Sequence, residues 1–366
     1  MSFSHQALRE RIDGMKARFI LGRIIRGLLV IFALLGAPHL LRVITASPSL
    51  NDLYPIWLGS RELLVHHRNP YSPELNTEIQ AAFYGAALPP GDYQQRECCF
   101  AYPVYVSFLL APGLATTFPS LSLAVLWLLA LATAASVACW WAATRRGAVS
   151  VWWAIPLVVV SPPVAQGLEL RQLTLLVAAL LSLSAVLARY NRYTLAGLAL
   201  GCATIKPQMS LLPVAWMLLW TLNDWAERKK LIIGFISTVA VLLTAGEMVL
   251  PGWIPKFVAQ LGYYRHVTGG GMLDILYGRR TGLRLTFISA AGLLFVMWRR
   301  RAVSDFMPTL AFLLAIELLI MPGLMSLLNL VLLIPGMFVL LQKYPAVYRP
   351  GWCPAADAER MSESPA

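Results

Sequence analysis

The sequence predicts an all-α protein that passes repeatedly through a membrane. Three observations carry that prediction: an apolar composition, long apolar runs, and basic residues gathered between the runs. Hydrophobic residues make up 58% of the 366, charged ones 13%, and the mean hydropathy is +0.64. Soluble domains carry about 25% charged residues. The net charge of +12 does not point to a nucleic acid, because its carriers sit in short clusters: Arg145-Arg146, Arg189 with Arg192, Arg228-Lys229-Lys230 and Arg299-Arg300-Arg301. Loops on the cytoplasmic side of a membrane show that pattern.

A crossing needs about 20 apolar residues. The first run, Phe19–Ile44, is too long for a signal-peptide core and follows Arg9, Arg11, Lys16 and Arg18, so it reads as an anchor with residues 1–18 in the cytoplasm. Later crossings are expected at Leu121–Ala143, Val149–Ala165, Leu173–Ala188, Leu231–Leu250, Leu283–Trp298, Met307–Met321 and Ser326–Leu341. Phe100–Phe118 is apolar but broken by Pro103 and Pro112. As a full crossing it would put Arg145-Arg146 outside and invert every later cluster. As an interfacial or re-entrant segment it keeps them all inside, and loop charge favours that reading.

Leu195–Trp220 is interrupted by Lys206-Pro207-Gln208. Proline removes a backbone donor and a lysine is costly in hydrocarbon, so two helices meeting at an outer turn are expected. The membrane domain is then 19–343, with about ten crossings, both termini inside, and a 344–366 tail too polar to fold. Long outer loops, 46–119 above all, place the function outside. The cysteines show no metal-ligand spacing and read as small apolar residues.

Several residues could carry chemistry. Asp52 directly follows the first run, where a base can be held against a membrane-borne substrate. Glu62, Glu74, Glu78, Asp92 and Glu97 share its loop and read as surface charge. Lys206 and Arg171, basic residues at membrane depth, are candidates for anion binding; snorkelling to the interface is as good a reading of Lys206, and an ion pair with Glu169 a somewhat better one of Arg171. The late outer loop carries Tyr263-Tyr264-Arg265-His266, then Gly269-Gly270-Gly271, Asp274 and Arg279-Arg280. Its glycines read as a hinge, since no phosphate-loop pattern surrounds them. Glu247 and Glu317 lie within apolar runs and could bind substrate or tie helices together. No metal-binding or acyl-transfer motif occurs.

Asn51-Asp52, Tyr54, Trp57, Arg68-Asn69-Pro70-Tyr71, Phe100-Ala101-Tyr102-Pro103 and Leu109-Leu110-Ala111-Pro112 together resemble glycosyltransferase family 87, also known as domain of unknown function 2029. Arg171-Gln172-Leu173-Thr174-Leu175-Leu176 and Leu195-Ala196-Gly197 through Lys206-Pro207-Gln208 continue the likeness, which spans about residues 45–345. It implies a GT-C fold with juxtamembrane helices in the first outer loop. It also implies transfer of a hexose, typically mannose, from a polyprenyl-phosphate sugar to a glycolipid or glycan at the outer face of the plasma membrane. The donor is a substrate, and no cofactor or metal is implied.

On that resemblance Asp52 is the base of an inverting single displacement. Lys206 is expected to meet the donor phosphate, helped by Arg171 and by Arg265 of the late outer loop, while Gln172, Tyr71, Asn69, Tyr102 and that loop's His266 are expected to contact substrate. Arg171 stands where the family has glycine. The family's late Asn-Gln-Ser element has no clear match in Gly269–Arg280, and Met325-Ser326-Leu327-Leu328-Asn329 replaces its Trp-His-His-like pattern. Two other classes stay open: a lipid or sugar transporter, since broken helices also mark those, and a non-catalytic partner in envelope glycan assembly.

Overall fold

A computed structural model describes residues 27, 30, 31, 34–38, 40–45, 50–87, 99–144, 151–268, 272–299, 306–320 and 327–343. Every regular element among them is helical, as the composition predicts. Helix α1 (Leu34–Thr45) is the described part of the first apolar run. Two helices fill the loop that follows, α2 (Leu53–Leu64) and α3 (Pro73–Tyr84). Phe100–Phe118 forms only the five-residue α4 (Val106–Leu110) and a 3-10 turn, Ala111–Gly113, far too short to cross.

The central bundle comprises α5 (Phe118–Thr144), α6 (Val151–Val159), α7 (Pro162–Glu169), α8 (Thr174–Arg189), α9 (Tyr193–Cys202), α10 (Pro207–Thr221) and α11 (Trp225–Val249). It is followed by α12 (Trp253–Thr268), α13 (Met272–Tyr277), α14 (Arg279–Arg299), α15 (Phe306–Ile320), a 3-10 turn (Leu327–Leu333) and α16 (Ile334–Lys343). Among the described residues, three apolar stretches are long enough to span a membrane: Phe118–Ala143, Pro207–Val249 and Arg280–Arg299. The second covers 43 residues, about twice a bilayer's need, and is α10 and α11 joined through the turn Leu222–Asp224.

Three expectations are corrected. Val149–Ala165 is not one helix: Ser161-Pro162-Pro163 divides it into α6 and α7, because proline donates no hydrogen bond but starts a helix well. Ser326–Leu341 is likewise divided, its first half wound as the tight turn before α16. The late region expected as a loop, Pro251–Arg280, is mostly helical, forming α12, α13 and the start of α14.

Packing is closest between α9 and α11. A side-chain carbon on Gly197 would lie 2.1 Å from the Leu231 carbonyl, and one on Gly234 2.3 Å from that of Thr194. Gly197 and Gly201 are four apart on one face of α9, the small-residue spacing that lets membrane helices touch backbone to backbone. That contact fixes the end of α9, and so the position of the break at Lys206. Glu247 and Glu317 both serve helix junctions. Glu247 accepts the Gly252 N–H at 2.7 Å, and buried Glu317 on α15 accepts the Leu212 N–H of α10 at 3.2 Å.

Candidate active site

Each functional side chain is presented by the end of a helix. At the start of α2, Asp52 occupies the N-cap position, where a carboxylate usually turns onto the helix's free N–H groups. Here Asn51 does that work, its Oδ1 accepting from the Leu53 N–H at 3.1 Å, and Asp52 makes no cap bond. The carboxylate of Asp52 is thereby left for the site. Lys206 owes its place to the proline after it. The residue before proline is pushed out of helical conformation, and Lys206 has φ −131° and ψ 81° between α9 and α10. Tyr105 caps this break, its hydroxyl donating to the Thr204 carbonyl at 2.9 Å.

Gln172, between α7 and α8, joins the two. Its Nε2 donates to Asp52 Oδ2, while its Oε1 accepts from Lys206 Nζ at 3.1 Å and from the Tyr102 hydroxyl at 3.5 Å. An amide has donors on one end and an acceptor on the other, so a carboxylate and an ammonium at opposite ends fix which way it points. Lys206 Nζ also donates to Thr174 Oγ1 at 2.7 Å, and Thr174 Oγ1 donates to Asn329 Oδ1 at 3.1 Å. Asp52, Gln172 and Tyr102 are half-buried, whereas Lys206, Thr174 and Asn329 are buried. The group therefore has an accessible acidic mouth and a sheltered cationic floor.

Among the described residues the charge on that floor has no directly paired anion. No salt bridge to Lys206 occurs among the described residues, and both of its hydrogen-bond acceptors are neutral. The turn holding it lies outside the flanking helices. Burial pushes the Lys206 ammonium down to about 8, with the Asp52 charge pulling the other way. Burial raises the Tyr102 hydroxyl above its ordinary range, with Tyr264 and Asp52 adding to the effect. Tyr102 is thus a donor and not a base.

Glycosyltransferase family 87 matches residues 100–333, more than half of the chain. The chain belongs to glycosyltransferase family 87. It is accordingly a membrane glycosyltransferase, as the first loop and the broken helix led the sequence reading to expect. No curated protein and no solved structure matches it. The family match includes Tyr102, Gln172, Thr174, Lys206 and Asn329; Asp52 precedes it and joins them by geometry alone.

Of the residues expected to act in this family 87 enzyme, Asp52, Gln172, Lys206 and Tyr102 meet. Asn69 and Tyr71 stand behind them and shape the loop. Asn69 Oδ1 accepts the Tyr71 N–H at 3.1 Å, and the Tyr71 hydroxyl donates to the Tyr102 carbonyl at 2.7 Å. The side chains of Arg265 and His266 lie outside the described residues, as do Asp92 and Glu97. Glu62, expected as surface charge, is buried beside Arg68. The exposed Glu74 and Glu78 keep that reading.

Arg171 is not gathered with Lys206. Its Nη1 donates to the carbonyls of Leu168 at 2.7 Å and Glu169 at 2.9 Å, and its Nε donates to that of Ser122 at 3.3 Å. Burial lowers the guanidinium from its usual value, and Glu169 opposes the shift. Its φ is +54°, and the N–H groups of Arg171 and Gln172 bond to the carbonyls of Leu168 and Gly167. This is the left-handed close of a helix that glycine ordinarily makes. Arg171 therefore ends α7, and its side chain adds bonds to the carbonyls of Leu168 and Glu169 there.

Sequence reasoning overlooked Thr174 and Asn329. Thr174 lies two residues past Gln172, a hydroxyl at the start of the apolar run Leu173–Ala188. Asn329 is the polar residue within Leu327-Leu328-Asn329-Leu330-Val331-Leu332-Leu333, and an amide in so apolar a run needs a buried partner.

Proposed function

We propose that this family 87 enzyme transfers a hexose, expected to be mannose, from a polyprenyl-phosphate sugar to a hydroxyl of a glycolipid or glycan at the outer face of the plasma membrane. One observation carries the reading: a half-buried carboxylate and a buried lysine with no ion pair among the described residues, held by the two ends of a single amide. Transfer with inversion needs a base on one side of the anomeric carbon and a cation on the other. Asp52 takes the acceptor's hydroxyl proton while the acceptor oxygen forms its bond to the anomeric carbon. The bond from that carbon to the phosphate oxygen breaks, and its electron pair leaves on the polyprenyl phosphate. Lys206 stabilises the charge that develops there, an electrostatic contribution often larger than that of the base. Tyr102 donates toward the same region.

The test is incubation of the purified protein in lipid nanodiscs with radiolabelled polyprenyl-phosphate mannose and candidate glycolipids. Glycosylated product supports the reading, and Asp52→Asn should lower turnover about 10²–10⁴-fold with donor binding retained. Near-normal turnover in that variant would remove Asp52 from the mechanism. Movement of the intact lipid with no bond cleaved would make the protein a transporter.

A further inference from the structure

We propose that Asn329 is a positioning residue of this site, acting through Thr174 to hold the Lys206 ammonium in place. The proposal rests on the transferase reading for its consequence in turnover, but its geometry stands without it.

Thr174 is fully buried at the first position of α8. Its hydroxyl has one proton to give and lone pairs to offer. An ammonium can only donate, so Thr174 serves Lys206 by accepting, at 2.7 Å. The hydroxyl proton must then go elsewhere, and Asn329 Oδ1 takes it at 3.1 Å. That bond fixes the rotor with its lone pairs toward Lys206. It also polarises the oxygen, because hydrogen bonds in a chain strengthen one another. Without Asn329 the buried hydroxyl would have to turn to find another acceptor, and the lone pairs would turn with it.

The turn Leu327–Leu333 packs on α7 and α8, so Asn329 reaches the site from the far end of the chain. Burying an amide in that apolar turn is unfavourable unless it is bonded, and Asn329 is only 2% exposed. With Gln172 Oε1 as the other acceptor, two of the three N–H groups of Lys206 are directed by neutral oxygens. The third has no acceptor among the described residues and is the one that can meet an anion.

The experiment is competitive trace acetylation of the full-length protein in nanodiscs across pH, read by mass spectrometry on the Lys206 peptide. It is run on wild type, Asn329→Asp, Asn329→Leu, Thr174→Val and the Thr174→Val/Asn329→Leu double variant. Asn329→Asp keeps an acceptor for the hydroxyl and adds negative charge, so the Lys206 labelling midpoint should move to higher pH. Asn329→Leu should move it to lower pH, and should do nothing further once Thr174 is valine. With labelled donor, Asn329→Leu should lower kcat/KM about tenfold, again with no added loss in the double variant. Unchanged midpoints in both Asn329 variants, or additive effects of the two sites, would overturn the proposal. Because acetylation needs no turnover, an inactive wild type would defeat the transferase reading while the labelling still decides the role of Asn329.

Discussion

Two charged clusters share helix α2, one at its start and one at its end, and are built on opposite plans. At the junction of α2 and α3, Arg68 meets its acids directly: Nη1 is 2.9 Å from Glu62 and Nη2 is 2.6 Å from Glu78. Two of the three members are nearly half exposed, with side-chain exposures of 45% for Arg68 and 44% for Glu78. At the start of α2, Asp52 and Lys206 are instead separated by the Gln172 amide, and the lysine is sheltered. A directly paired charge has spent most of its field on its partner. A charge held by neutral oxygens keeps its field for whatever arrives, which is what a site for a phosphate-bearing substrate requires. The first cluster braces a loop, and the second is poised to bind.

Removing the sheltered charge should show the contrast most strongly. Lys206→Met should lower kcat by about 10²–10³-fold while the bundle stays folded, since it also relieves a buried ion. The pH profile gives the same information in wild type. Lys206 loses its proton as pH rises through about 8, so kcat/KM, which reports the free enzyme, should fall above that pH. A bound phosphate holds the proton on, so the falling limb of kcat should lie at higher pH than that of kcat/KM. Coincident limbs would mean that Lys206 does not face the phosphate.

Turning the second cluster into the first is the next test. Gln172→Glu would pair Lys206 directly and set a second carboxylate against Asp52. Two acids in one site cannot both ionise easily. Turnover should fall about tenfold or more, and the acid limb of kcat/KM should move upward. A profile like that of wild type would show that the amide bridge is not what keeps the charges apart.

At the braced cluster the expected change is small. Glu78→Ala removes an exposed partner of Arg68 and leaves Glu62 in place, and exposed pairs contribute little. Turnover should stay within about twofold of wild type, with the same donor KM. A large loss would place Arg68 in the substrate path and erase the distinction between the clusters.

Much of this architecture was legible in the sequence because proline and charge act locally. Lys206-Pro207 announces a break whatever surrounds it, and Asp52 is placed by adjacency to the first apolar run. The short elements of Phe100–Phe118 follow from their prolines. What was not legible depends on contact or on backbone hand. Thr174 and Asn329 are 155 residues apart, and no local pattern joins them. Val149–Ala165 has the composition of a crossing, and only the structure shows its prolines opening a new helix. Arg171 misled for a related reason: a basic residue beside Gln172 suggests anion binding, and nothing in its neighbours reveals a positive φ.

The smallest effect is expected at Arg171, and it separates the two ways a buried cation can be used. Arg171 and Lys206 are 6% and 7% exposed, yet the guanidinium is bound to the backbone carbonyls of Leu168 and Glu169 at the end of α7 and of Ser122 on α5. Arg171→Gly would remove those bonds, each contributing about 0.5–1.5 kcal/mol. It would also place the residue best suited to φ +54°, relieving about 1 kcal/mol of strain. The changes oppose each other, so Tm should shift by only a few degrees and donor KM should not move. Arg171→Ala loses the bonds without relieving the backbone, and should be the less stable of the two with equally unchanged KM. If instead donor KM rises in both while Tm holds, the guanidinium reaches the phosphate after all, and the division between a capping cation and a binding one fails.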